Sequence, residues 1–178
     1  GIATVNGHSY ANYKTPNTNF ALLVSEKFTE PFKEPIQYGQ HIARLANMLA
    51  GGILVQRFGD LLDGRRSTPE RIKSSIITPT LSCATPGDLS LVIPYRQMTS
   101  IIEMLKALDK IAPGTASRYT LLYGIEVKFY SARVKLTNEL ETEGVKNLFT
   151  IGDGAGVTRG LLQASASGVY VARTICER

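Results

Sequence analysis

The sequence has little cysteine: Cys83 and Cys176 are the only two in 178 residues. They lie far apart and form no C-x-x-C motif, so neither a disulfide framework nor a zinc site is predicted. The sequence also lacks an apolar run long enough to cross a bilayer and an N-terminal signal pattern. We therefore expect no metal and no membrane span, and a reducing cytoplasm is the default location.

Basic residues outnumber acidic ones, with a formal net charge of +5 and a pI of about 9.3. Nucleic-acid binding would call for interleaved aromatic residues or a recognised binding motif, and neither is present. We expect no nucleic-acid partner and read the basic cluster as a solvated loop that leads into a short helix. Ser67 or Thr68 would cap that helix, with Pro69 in its first turn. The cluster consists of Arg57, Arg65, Arg66, Arg71 and Lys73.

Hydrophobic periodicity predicts a mixture of helices and strands. Apolar residues at helical spacing predict helices over residues 36–50, 95–112 and 160–175. Runs rich in β-branched and aromatic residues predict strands over residues 1–7, 19–26 and 147–153, and one long strand or two consecutive strands over residues 117–139. The run at 19–26 is apolar on both faces, which predicts a well-buried strand. The fold class is therefore α+β, or a segment of an α/β fold, with a mixed or antiparallel sheet.

The stretch "NLFTIGDGAGVTRGLLQASASGVYVARTI" predicts a Rossmann-like strand, glycine loop and helix. Glycines let a ligand approach the backbone, and the first amides of the helix carry partial positive charge. Asp153 would accept a hydrogen bond from a ribityl or ribose hydroxyl. A tight helix–sheet contact with no ligand explains the spacing equally well. The candidate cofactor-binding residues are Gly152, Asp153, Gly154, Ala155, Gly156, Gly160, Leu161 and Leu162.

The predicted last helix repeats small residues at intervals of four, namely Ala164, Gly168 and Ala172. Residues four apart lie on one side of a helix. We therefore expect a face that packs closely against another backbone or a flat ring.

The segment "IGDGAGVTRGLLQASASGVYVA" resembles the C-terminal flavin-contacting segment of two-domain FAD-dependent oxidoreductases. "VNGHS", "TPT…PGDLS…IP", "LLYGIEVKFYSARVKLTNE" and "GVKNLFTIGDGAG" follow the order of the family of uncharacterised FAD-dependent dehydrogenases. Two stretches depart from the residue pattern of that family. One is Asn6–Ser9, where His8 takes the place of the expected residue, and the other is the run Val127–Ala132. Both lie on the expected substrate side, so the resemblance does not extend to a shared substrate.

The strand–G-x-G-x-x-G–helix unit that binds the ADP half of FAD in this family is missing here. The resemblance therefore implies that the chain is the C-terminal part of a longer flavoprotein. The full-length protein would be an enzyme that uses FAD, and this part alone would be inactive. Residues 1–137 would form an inserted or substrate-type domain and residues 138–178 the returning segment of the FAD-binding domain. The substrate is expected to be a small molecule, and the electron donor or acceptor is not predicted. The alternative is a non-catalytic module that binds a nucleotide or a protein.

A few other side chains are candidates for chemistry. His8 is the candidate acid or base, although an exposed turn histidine explains it as well. Cys83 is expected to be a buried structural thiol, with a redox thiol as the alternative. Glu126 is expected in a salt bridge or at an exposed strand edge. Three tyrosines would line either a ring-binding pocket or the rim of the core: Tyr10, Tyr13 and Tyr130.

Overall fold

The structure is a computed structural model that describes residues 1–129 and 133–177. It divides into two compact units, Gly1–Val127 and Lys128–Arg178. No described helix is long and apolar enough to cross a membrane. The first unit contains the helices α1 (Pro35–Ala50), α2 (Phe58–Leu62), α3 (Pro69–Lys73) and α4 (Tyr95–Leu108), and the strands β1 (Leu54–Arg57), β2 (Thr85–Pro86) and β3 (Leu121–Gly124). The second contains α5 (Leu161–Cys176).

A mixed sheet with the order β2-β1-β3 forms the centre of the first unit. β1 pairs in parallel with β2, with Leu54 opposite Thr85, and antiparallel with β3, with Leu54 opposite Gly124. Leu54 and Val55 are each only 2% exposed, as expected for a central strand covered on both faces. The prediction of a mixed sheet is confirmed for the part of the chain that the structure describes.

Of the two long helices of the first unit, α1 matches its predicted span within one residue, and α4 starts as predicted but ends at Leu108 instead of residue 112. α1 starts at Pro35, a favoured residue in a first turn, and is followed by Gly51, whose φ of 67° gives the left-handed conformation of a helix C-cap. α4 buries Met98 and Leu105 in the same core as Leu54. Helical periodicity was therefore a sound guide where one face of a helix covers the sheet.

A buried polar network lies under the basic cluster of the first unit. Asp60 is 1% exposed; its Oδ1 accepts a hydrogen bond from Arg65 Nε at 2.9 Å and its Oδ2 one from Ser67 Oγ at 2.8 Å. Gln56, fully buried, donates to the Arg65 carbonyl and accepts from the Leu89 amide. The predicted solvated loop is thus wrong in part, because its arginines and Ser67 are organised around a buried carboxylate.

The short helix α3 forms where the sequence predicted it. Thr68 is the N-cap, and its hydroxyl accepts a hydrogen bond from the Arg71 amide. Ser67, the other predicted cap, instead accepts a bond from the Arg57 amide. A hydrogen bond from its own backbone amide, and then one from the Thr68 hydroxyl, lower the pKa of Glu70 below its ordinary value.

The two predicted N-terminal strands are wrong. Residues 1–7 are extended, with one backbone bond from Val5 to the Ile125 carbonyl, and the Asn47 side chain pairs with both the N–H and the C=O of Ala3. A side chain thus takes the place of a neighbouring strand. In the predicted strand 19–26, Leu22 packs against the core, whereas Leu23 is 52% exposed. The segment is therefore covered on one side at most.

Of the two later predicted strands, one is shorter than predicted and the other does not form, for a related reason. β3 starts at Leu121, opposite Arg57, where β1 passes into α2, and it ends at Gly124, opposite Leu54, the first residue of β1. Residues 147–153 form no strand, and Phe149 makes an isolated bridge to Glu141. A β-rich segment extends as a strand only as far as a partner offers backbone groups.

Gly59 lies where two backbones come close, because its amide donates to the Arg118 carbonyl at 2.9 Å. A Cβ on Gly59 would lie 2.9 Å from both that carbonyl oxygen and Arg118 Cβ. We predict that Gly59→Ala lowers the free energy of unfolding by about 1–3 kcal/mol, measured by chemical denaturation. Gly52→Ala is the control, since nothing lies within 4 Å of a Cβ there. Equal stability of the two variants would contradict the close approach.

Candidate functional site

The glycine loop folds back on itself between residues 151 and 161 of the second unit. Gly152 and Gly156 have φ values of 72° and 69°, a region that side-chain-bearing residues rarely adopt. Between them, Asp153–Ala155 form one turn of 3₁₀-helix, and Ala155 is buried. The turn is closed by the Gly156 amide, which donates to the Asp153 carbonyl at 3.0 Å. The glycines are thus required by the backbone of the loop, before any ligand is considered.

The Asp153 carboxylate ties the start of this loop to its end. Its Oδ1 accepts a hydrogen bond from the Thr158 hydroxyl at 2.5 Å and another from the Gly160 amide at 3.1 Å. Gly160 is the N-cap residue of α5. The carboxylate therefore fixes the loop against the first residue of the helix and places negative charge at the positive end of the helix dipole.

Ser167 joins the same loop to the body of α5. Its hydroxyl is 3.1 Å from the Gly152 amide, which donates to it, and donates in turn to the Ala164 carbonyl at 2.7 Å. Ser167 is 8% exposed, so this pairing satisfies a backbone amide that water does not readily reach. The loop is thus held at Gly152 by Ser167 and at Gly160 by Asp153.

The N-terminus of α5 is exposed beyond its N-cap residue. The Gly160 amide is bonded to Asp153, whereas the first two residues of the helix, Leu161 and Leu162, are 91% and 80% exposed. Nothing lies within 4 Å of a Cβ placed on Gly154. The loop backbone at Gly154 and the first turn of α5 are therefore accessible, as the contact of a phosphate or ring edge with the loop requires.

α5 has a buried side and an exposed side that carries several apolar residues. Ser167 and Val171 are buried within the second unit. The opposite side carries an exposed stripe at helical spacing, made of Leu162, Ala166, Val169 and Cys176 and interrupted by Arg173. The part of this stripe from Leu162 to Val169 differs from the polar face that a helix usually turns to water.

The expected close-packed face of small residues on α5 is wrong in part. Ala164 and Gly168 are half-buried, but Ala172, the third member, is exposed. A Cβ on Gly168 would lie 3.6 Å from Ile151 Cδ1, which is an ordinary van der Waals distance. The helix is instead buried most deeply at Ser167 and Val171, one turn apart on a slightly different face.

The ring-bearing candidates near the N-terminus form an exposed cluster. The Tyr10 and Tyr13 rings stack at 4.4 Å, and the His8 ring meets Tyr10 edge-on at 5.6 Å. All three side chains are exposed. A hydrogen bond with Tyr10, and then burial and the Tyr10 charge, raise the pKa of Tyr13 above its ordinary value. Tyr130 lies outside the described residues.

Two further candidates are placed differently from expectation. Cys83 is exposed rather than a buried structural thiol, because it lies in a turn of the proline-rich stretch instead of in an element that faces the core. Glu126 is half-buried and follows β3, outside any described strand. Among the described residues, no group of three or more His, Cys, Asp or Glu could hold a metal ion.

Two residues of the site were not identified from sequence. Thr158 and Ser167 supply the hydroxyl groups that hold the glycine loop. Ser167 could have been identified from sequence, because it is a polar residue on the same face of α5 as Val171, and a buried hydroxyl requires a hydrogen-bond partner. Thr158 could not have been identified from sequence, because a threonine in a loop is usually solvated.

A glycine loop held by a carboxylate and followed by an exposed first helical turn is an arrangement that suits an anionic group such as a phosphate, and it occurs in many nucleotide-binding proteins. Comparison with known families narrows this class. Residues 80–178 match the family model of "Glucose inhibited division protein A". The chain belongs to this family, which is one of FAD-dependent oxidoreductases. The resemblance to FAD-dependent oxidoreductases is thereby confirmed at the level of the family.

The whole length of the chain also resembles one region of a much longer protein. An "Uncharacterized protein" of Clostridium beijerinckii (strain ATCC 51743 / NCIMB 8052) is 31% identical over 189 residues. The matched region covers 100% of this chain and 34% of that protein. The chain thus spans about a third of the length of this relative.

We predict that Ser167→Ala destabilises the second unit by about 1–3 kcal/mol, because the Gly152 amide loses its acceptor in a buried position. Two measurements test this: chemical denaturation, and hydrogen exchange of the native protein. The Gly152 amide should exchange faster in Ser167→Ala than in the unsubstituted chain. Ser165→Ala is the matched control, since Ser165 is an exposed serine on the same helix. If Ser167→Ala behaves like Ser165→Ala, the hydroxyl does not hold the loop.

Proposed function

We propose that this chain is the C-terminal part of an FAD-dependent dehydrogenase and that its glycine loop and α5 contact the ribityl chain and the isoalloxazine ring of FAD. The observation that carries this proposal is the Asp153 Oδ1 bond to the Gly160 amide, which sets the loop against the open N-terminus of α5. The proposed contacts are Gly152, Asp153, Gly154, Ala155, Gly156, Gly160, Leu161 and Leu162.

The residues of the loop suit a polar, partly anionic cofactor. The first-turn amides of α5 have no intrahelical partners, so they can donate to a ring edge that gains negative charge. Asp153 can accept from a ribityl hydroxyl, which would join or replace the Thr158 hydroxyl at Oδ1. FAD, when bound, supplies hydride transfer, and this chain would position and polarise it.

A longer protein would also account for the exposed stripe on α5. An apolar helix face left in water costs free energy in proportion to its area. We propose that this stripe packs against the dinucleotide-binding half of the protein, which the chain does not contain. The relative of about three times this length supports such an arrangement. Residues 1–137 would then be the inserted or substrate-type domain and 138–178 the returning segment of the FAD-binding domain.

We further propose that the complete protein acts in the cytoplasm on a small molecule. His8 is retained as the candidate acid or base, since its ring is exposed and rests against Tyr10. If the full-length protein binds a nucleotide without flavin absorbance, the alternative of a non-catalytic binding module is correct instead.

In the full-length protein, Asp153→Ala should weaken FAD binding by roughly 1–3 kcal/mol, because a charged acceptor is lost and the Gly160 amide is released. Flavin fluorescence titration measures the change. Asp109→Ala is the matched control, because Asp109 Oδ1 holds another loop through the Gly114 and Ala116 amides. The control should lose stability and keep its flavin affinity. An Asp153→Ala protein with the affinity of the unsubstituted protein would refute the assignment.

The 178-residue chain by itself should purify colourless and bind FAD weakly, because it lacks the unit that binds the ADP half. Absorbance from roughly 350 to 500 nm, the region of the oxidised flavin bands, tests this directly. A stoichiometric flavin spectrum from this chain would show that its own residues make a complete site.

A further inference from the structure

The second unit contains a cleft of about 530 Å³ beside the glycine loop. One wall is the segment from Arg133 to Glu143, and the loop contributes Val157. Small-molecule sites have volumes of about 300–1,000 Å³, so the cleft can take a compact ligand. The amides at the N-terminus of α5 do not line it, so a ligand here would be separate from one at that helix end.

The wall of the cleft is a hairpin fixed by backbone bonds. The Thr137 amide donates to the Glu141 carbonyl at 2.9 Å, and the Glu143 amide donates to the Lys135 carbonyl at 3.0 Å. The Tyr170 hydroxyl of α5 donates to the Asn138 carbonyl at 3.1 Å, which anchors the hairpin tip to the helix. These bonds hold this wall of the cleft in place.

Two cations lie on the first arm of the hairpin. Arg133 and Lys135 are two residues apart, and both line the cleft. No ion pair within the described residues neutralises either cation, whereas arginines of the first unit are paired with Asp60 and Asp63. Glu143 is the one described acid in the lining, so the cleft keeps a net positive charge.

The remaining lining is apolar where it meets the loop. Leu136 and Leu140 come from the hairpin, and both are half-buried. Val157 faces them from the loop, and its amide is held by the Gly152 carbonyl at 3.3 Å. The cleft is thus lined by both cations and aliphatic side chains, which is the pattern of a site for an amphipathic anion.

We propose that this cleft binds the oxyanion group, carboxylate or phosphate, of the small-molecule substrate, with Arg133 and Lys135 as its partners. The aliphatic residues would contact the body of the substrate and direct it toward the loop. That the ligand is the substrate rests on the proposed flavin function. That the cleft binds an oxyanion does not rest on it, and this binding can be measured on the 178-residue chain alone.

The first experiment titrates the 178-residue chain with succinate and with inorganic phosphate, followed by amide chemical shifts. Shifts should concentrate at residues 133–143 and at Val157. Arg133→Gln and Lys135→Gln should each weaken binding roughly tenfold, as expected for the loss of a charge-assisted hydrogen bond. Lys146→Gln is the matched control, because Lys146 is an exposed cation of the same unit outside the cleft. Equal weakening by Lys146→Gln, or no weakening in the double variant, overturns the proposal.

The second experiment separates the substrate from the cofactor as the source of the anion. In the full-length protein, the double variant should bind FAD and riboflavin with unchanged affinities. If the double variant loses affinity for FAD but not for riboflavin, Arg133 and Lys135 bind the phosphates of the cofactor, and the substrate proposal is overturned. A full-length protein without flavin would refute the proposed function, whereas oxyanion binding by the chain would still be decided by the first experiment.

Discussion

A single carboxylate oxygen sets the geometry of the second unit. Asp153 Oδ1 accepts hydrogen bonds from both the Thr158 hydroxyl and the Gly160 amide, so the eight residues from Asp153 to Gly160 are closed into a ring at the start of α5. Ser167 then binds that ring to the helix through Gly152. Without these bonds a glycine-rich segment would have high conformational entropy and no fixed direction. A site made of backbone amides depends on such constraints, since the amides point only where the chain is held.

The helices of this protein could be predicted from sequence, and most of the strands could not. Both α1 and α4 have an apolar stripe, and α1 is also closed by the Gly51 C-cap, which are local properties of the sequence. A strand needs a partner at the right distance along the sheet, which is a property of the whole fold. β1 is four residues long, and this length limits β3 although the sequence around β3 would permit a longer strand.

The candidate site divides in the same way. The glycines and Asp153 were singled out because a run of glycines with an acid, placed directly after a short apolar run, is unusual in sequence. Thr158 was missed, because its role depends on a bond to a residue five positions away that only the folded loop brings close. The buried position of Asp60 was missed for the opposite reason: a surrounding excess of arginine resembles a solvated surface, and the burial of a carboxylate is decided by tertiary packing.

The glycine loop also has a handedness. Gly156 has φ of 69° and ψ of 14°, close to the mirror image of a right-handed helical residue. For a D-amino acid this region is the relaxed one, just as the right-handed region is for an L-amino acid. A D-alanine at position 156 would therefore match the existing backbone and reduce the freedom of the unfolded chain, while an L-alanine would strain it. Chirality at one atom thus distinguishes a glycine kept for its backbone conformation from one kept for the space that it leaves.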